Sequence, residues 1–202
     1  MLTIWGRLNS HNVKKVAWLA EEIGVDYVRH DIGGQFGFTD AYLALNPNKL
    51  IPTIEDGDVV LWESNAILRY MAAKYAPHLW PGDPAARAVG DKWMDWQFTY
   101  ARAQFGAFIN LVRRGPDRRE HDAIEKAAEA TAKEMAILDR YLAETPWLSG
   151  ESFGIGDIPM GVYTHTWFTL AIDRPEMPHV RGWYERLVER PGFASQVMIP
   201  LT

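Results

Sequence analysis

Apolar residues fall along this chain in two rhythms. Through about residue 77, short apolar runs alternate with helical stripes, whereas beyond Pro84 nearly every segment repeats with the 3.6-residue period of a helix. Leu2-Thr3-Ile4-Trp5 has strand character, and Val13, Val16, Ala17, Ala20 and Ile23 share one face of a helix that ends near Gly24. Residues 25–32 predict a second strand and residues 40–45 a short helix. Thr53-Ile54 and residues 59–61 predict an antiparallel pair joined at Asp56-Gly57. Ile67, Leu68 and Met71 then continue a helix from Glu63-Ser64 to about Tyr75. The run from Pro77 to Pro84 is dense in breakers and predicts a linker. Two long helices follow at residues 86–112 and 120–142, parted by a break at 113–119, and further helices at 157–172 and 179–189.

That order predicts an α/β plus all-α protein. Residues 1–77 form a small βαβαββα domain of thioredoxin-like type, 78–85 the linker, and 86–202 an all-helical domain. Nearly half the residues are apolar and nine are Trp, enough for a stable core. The net charge of −5 argues against a general binder of nucleic-acid backbones. No apolar run approaches the roughly 18 residues of a membrane span. The first strand opens without a leader-like segment, so the expected location is the cytoplasm. Cysteine is absent, which excludes disulfides and any protein thiol, and the six His have no metal-ligand spacing. Loop Gly33-Gly34-Gln35-Phe36-Gly37 lacks nucleotide-binding spacing, and Arg113-Arg114 with Arg118-Arg119 reads as a solvated break.

Residues 46–70 carry most of the chemistry. Pro52 enters a strand without a donor N–H, so it marks an edge or a cis turn, and a cis Ile51-Pro52 bond would leave the Ile51 backbone free to pair with an extended peptide. Ser64 starts a helix, whose unpaired N–H groups and positive dipole suit a carboxylate, and Glu63 beside it suits an ammonium. A plain hairpin followed by a capped helix would use the same residues.

This stretch, with its Ile-Pro pair and Glu-Ser-Asn-Ala-Ile run, resembles the glutathione-binding half of the cytosolic glutathione S-transferase family. The order of α/β domain, Pro-rich linker and all-α domain extends the resemblance over the whole chain. It implies that Ile51 and Pro52 hold the cysteinyl backbone of glutathione, that Ser64 contacts the γ-glutamyl carboxylate and that Glu63 contacts its amine. Phe153-Gly154-Ile155-Gly156-Asp157-Ile158 resembles the family's buried capping box, with Gly154 where Ser or Thr is usual. Asp157 would reach back to backbone N–H groups near the cap, a structural role. The stretch from Trp183 to Pro191 resembles the family's penultimate helix and its stop.

In theta-like and bacterial members a serine donates to the sulfur within a pattern resembling Ser-x-Pro-x-x-x-Val. Here Ser10-His11-Asn12-Val13-Lys14-Lys15-Val16 puts Ser10 at the donor position and Asn12 in place of the proline, with Asn12 a second donor candidate. Both residue types are also ordinary helix caps. A thiol pKa of about 8.5 leaves a few per cent ionised at neutral pH. Lowering it by about two units takes roughly 2.7 kcal/mol of preferential thiolate stabilisation. The family often has Gly-Lys/Gln before Val/Ile-Pro. This chain has Lys49-Leu50, so Lys49 is the candidate for the glycyl carboxylate, with His11 or Lys14 as alternatives. Trp96, Tyr100, Gln104 and Phe105 at helical spacing, with Trp167, are candidates for an electrophile pocket, although such a stripe also describes a core.

The resemblance therefore implies an enzyme that activates glutathione as a thiolate for conjugation to hydrophobic electrophiles. It implies no cofactor beyond glutathione as co-substrate, and a homodimer that engages neither nucleic acid nor membrane. The alternatives are a glutathione-dependent disulfide reductase or peroxidase, and a non-catalytic binding protein of the same fold.

Overall fold

The computed structural model describes residues Met1 to Thr202. β1 (Leu2–Trp5) pairs in parallel with β2 (Tyr27–His30) through the crossover helix α1 (His11–Glu22), and antiparallel with β3 (Thr53–Asp56). β3 turns into β4 (Val59–Trp62), giving the sheet order β2-β1-β3-β4. Leu2 and Ile4 of β1 enter the core, as the two-residue strand period requires. α2 (Asp40–Leu45) precedes β3 and α3 (Ser64–Tyr75) follows β4.

Differences from the sequence reading have local causes. The second strand is shorter because the Val25 N–H bonds to Ala20 O and closes α1. The hairpin loop is Gly57-Asp58, since Asp56 pairs with Val59 inside the ladder, and Gly57 takes the positive φ of 63°. α1 was expected to bury one stripe. It is buried without a gap from Val13 to Ala20, Lys14 and Lys15 included, because α3, α6 and α8 pack on it from several sides.

The second half begins with α4 (Pro84–Phe108), where the Asp83 carboxylate accepts from Ala86 N at 2.8 Å and Pro84 fills the first turn. Its end widens into a π turn, Ile109–Arg113, where Arg114 N bonds to Ile109 O. Then come α5 (His121–Leu142), α6 (Asp157–Thr169), α7 (Pro178–Val188) and a last short helix α8 (Pro191–Gln196), a helix the sequence reading did not include. α4 crosses α6 so closely that a Cβ on Gly156 would lie 2.6 Å from Gly90 Cα.

Asp157 is fully buried and accepts from Leu148 N (2.8 Å), Gly154 N (3.1 Å), Ser149 N (3.3 Å) and the Trp183 indole (2.9 Å). Burial pushes its pKa above the usual carboxylate value, with these donors pulling the other way. Gly154 has a packing reason as well: a side chain there would collide with Ser149 at 2.8 Å.

Candidate functional site

Two recesses meet at the start of α1. The first is a groove of about 70 Å³ along the β3–α3 side, lined by Leu50, Ile51, Pro52, Glu63 and Ser64, with Asn12 at its inner end. The Ile51-Pro52 bond is cis, and the Ile51 N–H and C=O have no partner within the chain. Tyr42 and Asn46 fix the turn behind it. Tyr42 OH donates to Leu50 O and lies 2.9 Å from Thr53 Oγ1, while Asn46 Nδ2 donates to Leu50 O at 3.1 Å and to Thr53 Oγ1 at 3.0 Å.

Glu63 precedes α3 with a left-handed φ of 72°, a strained backbone for a non-glycine residue, and its side chain is exposed at the groove. Ser64 is the first residue of α3 and is buried. Behind Ser64 lies Lys15, fully buried, which donates to Ser64 Oγ (3.3 Å), Asn65 Oδ1 (3.3 Å) and Gln97 Oε1 (2.5 Å). Burial lowers its pKa to about 7, with Glu63 opposing. The sequence reading did not single it out in this role.

The second recess is a cavity of about 220 Å³ between α1, α4 and α6. Ser10, His11 and Asn12 form one wall, Gln104, Phe105 and Phe108 another, and Tyr163 a third. Arg7 and Arg113 also line it. Ser10 occupies the N-cap of α1 through its carbonyl, which accepts from Lys14 N at 2.9 Å, yet its side chain makes no capping bond. Asn12 lines both recesses, and its Oδ1 is buried without a partner. His11 stacks on Tyr163 with centroids 4.8 Å apart and contacts Thr166 Oγ1 at 2.7 Å. Burial first, and then the nearby Lys14, Lys15 and Arg113, depress its pKa to about 3, so the imidazole is neutral.

The α1 N-terminus and the Arg7 guanidinium in the same cavity lining give the surroundings of Ser10 positive potential. An anionic sulfur there would be favoured over a neutral one.

The structure separates the remaining candidates. Gln104 and Phe105 line the cavity, but Tyr100 and Trp167 are fully buried in the core, and Trp96 is packed edge-on against Trp93. The cavity-facing positions of α4 are 101, 104, 105 and 108, one residue round the helix from the aromatic stripe. Lys49 is exposed, does not line the groove, and holds a left-handed φ of 57° at the position where the family usually has Gly. Of the alternatives to Lys49, Lys14 donates to Val197 O at 2.8 Å and His11 contacts Thr166 Oγ1. The arginine-rich break is not uniformly solvated: Arg114 pairs with Glu120, Arg119 donates to Leu111 O, and Arg113 enters the cavity lining.

Comparison with known proteins identifies the family. Residues 1–73 match the family described as glutathione S-transferase, N-terminal domain, and residues 91–191 match glutathione S-transferase, C-terminal domain. The chain is 42% identical to the glutathione S-transferase GstB of Escherichia coli (strain K12), with 100% of each covered. It is 30% identical to the disulfide-bond oxidoreductase YfcG of the same strain, covering 93% of this chain and 90% of that one. The crystal structure of the theta class glutathione S-transferase from Xanthomonas axonopodis pv. citri, with glutathione bound, superposes with a TM-score of 0.96. It is 50% identical and covers 100% of this chain and 99% of that chain.

Proposed function

The chain belongs to the glutathione S-transferase family, and on that premise we propose how it works as a glutathione transferase. Glutathione lies in the groove, its peptide backbone paired with Ile51 beside Pro52, its γ-glutamyl carboxylate at Ser64 and its amine at Glu63. Lys15, donating to Ser64 Oγ, leaves the serine hydroxyl hydrogen free for that carboxylate. The sulfur then lies where groove and cavity meet, within reach of Ser10. The Ser10 hydroxyl donates to the sulfur and the thiol proton leaves to solvent. The thiolate attacks an electrophilic carbon in the cavity, forming a C–S bond while the leaving group departs with its electron pair. Most of the rate enhancement comes from positioning and thiolate stabilisation.

The uncommitted Ser10 hydroxyl at the N-cap of α1, between the two recesses, carries this reading. Its test is Ser10→Ala. Turnover should fall about 100-fold with little change in glutathione affinity, and the thiolate absorbance of the bound complex should titrate at higher pH. Wild-type behaviour in Ser10→Ala together with a loss in Asn12→Ala would move the donor role to Asn12.

Likeness to a disulfide-bond oxidoreductase favours one second reading, disulfide reduction with two glutathiones sharing the cleft. A panel of aryl halide, peroxide and disulfide substrates separates the two. We further place the enzyme in the cytoplasm as a homodimer; no helix is long and apolar enough to cross a membrane. Val60 and Trp62 on edge strand β4 and Phe98 on α4 are exposed apolar side chains on the two domains that would meet across a two-fold axis. Sedimentation equilibrium should return twice the 23.0 kDa chain mass.

A further inference from the structure

The cavity beside Ser10 has an unusual charge balance for a chain of net charge −5. Two guanidiniums line it and no carboxylate does. Neither Arg7 nor Arg113 has a carboxylate partner, and what sets them apart from the chain's other unpaired arginines is that both line one recess. Arg7 donates only to the neutral Asn9 Oδ1, at 2.6 Å, and its Nε is buried without any partner. Arg113 projects from the π turn over the Phe108 ring, 5.6 Å from its centroid. The two cations are close enough that Arg113 adds to the lowering of the Arg7 pKa that burial begins. An unpaired, partly buried guanidinium beside another is costly unless an anion joins them. The opposite walls, Phe105, Phe108 and Tyr163, are aromatic.

The geometry points to a cavity selective for electrophiles that carry an anionic group, a carboxylate or sulfonate on a small aromatic or short aliphatic body. Arg7 and Arg113 hold the anion, the aromatic walls hold the body, and the reactive carbon turns toward the sulfur at Ser10. This narrows the substrate class from hydrophobic electrophiles in general, and it rests on the reading of the cavity as the electrophile site. The shared chemistry is carboxylate recognition, whose other source would be the glycyl carboxylate of glutathione itself.

The experiment uses two conjugates that differ only in charge, S-(4-carboxy-2-nitrophenyl)glutathione and its methyl ester. Their affinities, with that of glutathione, are measured by calorimetry in wild type and in Arg113→Met, whose exposed side chain makes no hydrogen bond in the fold. The acid should bind wild type about tenfold tighter than the ester, as a charge-assisted pair would give. Arg113→Met should bring that ratio close to one and leave glutathione affinity unchanged, and raised salt should shrink the ratio in wild type. Equal binding of acid and ester by wild type, or a ratio that survives in Arg113→Met, would overturn the inference. A variant that loses glutathione affinity while keeping the ratio would give the arginines to the glycyl carboxylate instead. Tight glutathione binding with both conjugates excluded would overturn it too. Failure of all three ligands to bind would remove the assigned site, and this inference with it. As a second readout, ipso substitution of chloride in 4-chloro-3-nitrobenzoate and its methyl ester, each normalised to its uncatalysed rate, should follow the same ratio.

Discussion

The groove and the cavity touch at Asn12, yet they are built in opposite ways. The groove comes from one stretch of chain, residues 46–64, and its shape is set by backbone: a cis bond, an unpaired Ile51 peptide group and a helix N-terminus. The cavity takes side chains from three distant segments, residues 7–12, 101–113 and Tyr163. Backbone features tolerate side-chain change, so a groove of this kind suits a constant peptide ligand. A cavity of side chains can be re-tuned one residue at a time, which suits a variable second substrate. The two regions should therefore fail differently.

Asp157→Ala should have the largest effect and fall on the cavity side. It strips the acceptor from three backbone N–H groups and a buried indole at the start of α6, the helix that carries Tyr163 and Thr166. Each orphaned donor costs about 1–3 kcal/mol, so a loss of about 3–5 kcal/mol in urea unfolding is expected. Glutathione affinity of the remaining folded protein should persist. A melting temperature equal to wild type would remove the capping role.

Acid should weaken the cavity next. His11 is held neutral to about pH 3, whereas an unfolded histidine takes its proton near 6.5. Between those values the unfolded state binds one more proton, so stability falls as pH falls through that window. From pH 6.5 to 4.5 His11 should remove about 2.3 kcal/mol, since the unfolded imidazole is already half protonated at the upper value. His165, lowered to about 4 by burial, adds to the same slope. His11→Asn should flatten the difference by that amount in unfolding measured at the two pH values. An unchanged slope would mean that His11 charges in place.

The groove should respond more mildly and only through ligand. Glu63→Ala and Ser64→Ala should each weaken glutathione by about 1–2 kcal/mol in calorimetry, because each leaves a charged partner unmatched. If both variants bind as wild type does, the peptide does not lie on the α3 N-terminus.

This contrast also decides what could be read from sequence. The fold was largely legible, because strand and helix periods hold from Leu2 to Tyr75 and α5 and α7 are strongly periodic, whereas α6, buried on nearly every face, was legible from its capping box. Ile51, Pro52, Glu63 and Ser64 were legible as neighbours because their order along the chain is their order in the groove. Tyr100 and Trp167 were misplaced because helical spacing gives a shared face without saying which element covers it. Arg113 looked like part of a solvated break, since the π turn that re-aims it leaves no sequence period. Lys15 was unread for a related reason: a lysine on the polar side of an apolar stripe looks exposed until packing from the second domain buries it.

The smallest effect expected is at the groove's edge, where Lys49 keeps a left-handed backbone, φ 57°, without lining the recess. A side chain in that region costs about 1–2 kcal/mol, and glycine avoids the clash while adding freedom to the unfolded chain. Lys49→Gly should therefore stabilise the fold by about 0.5–1 kcal/mol. Glutathione affinity should stay as it was, because the turn is fixed by Tyr42 and Asn46 and not by the lysine. Calorimetry beside thermal unfolding checks both halves. Weaker glutathione binding in a stabilised protein would show that the Lys49 ammonium reaches the peptide after all, and would restore to the groove a side-chain contact that its backbone design does without.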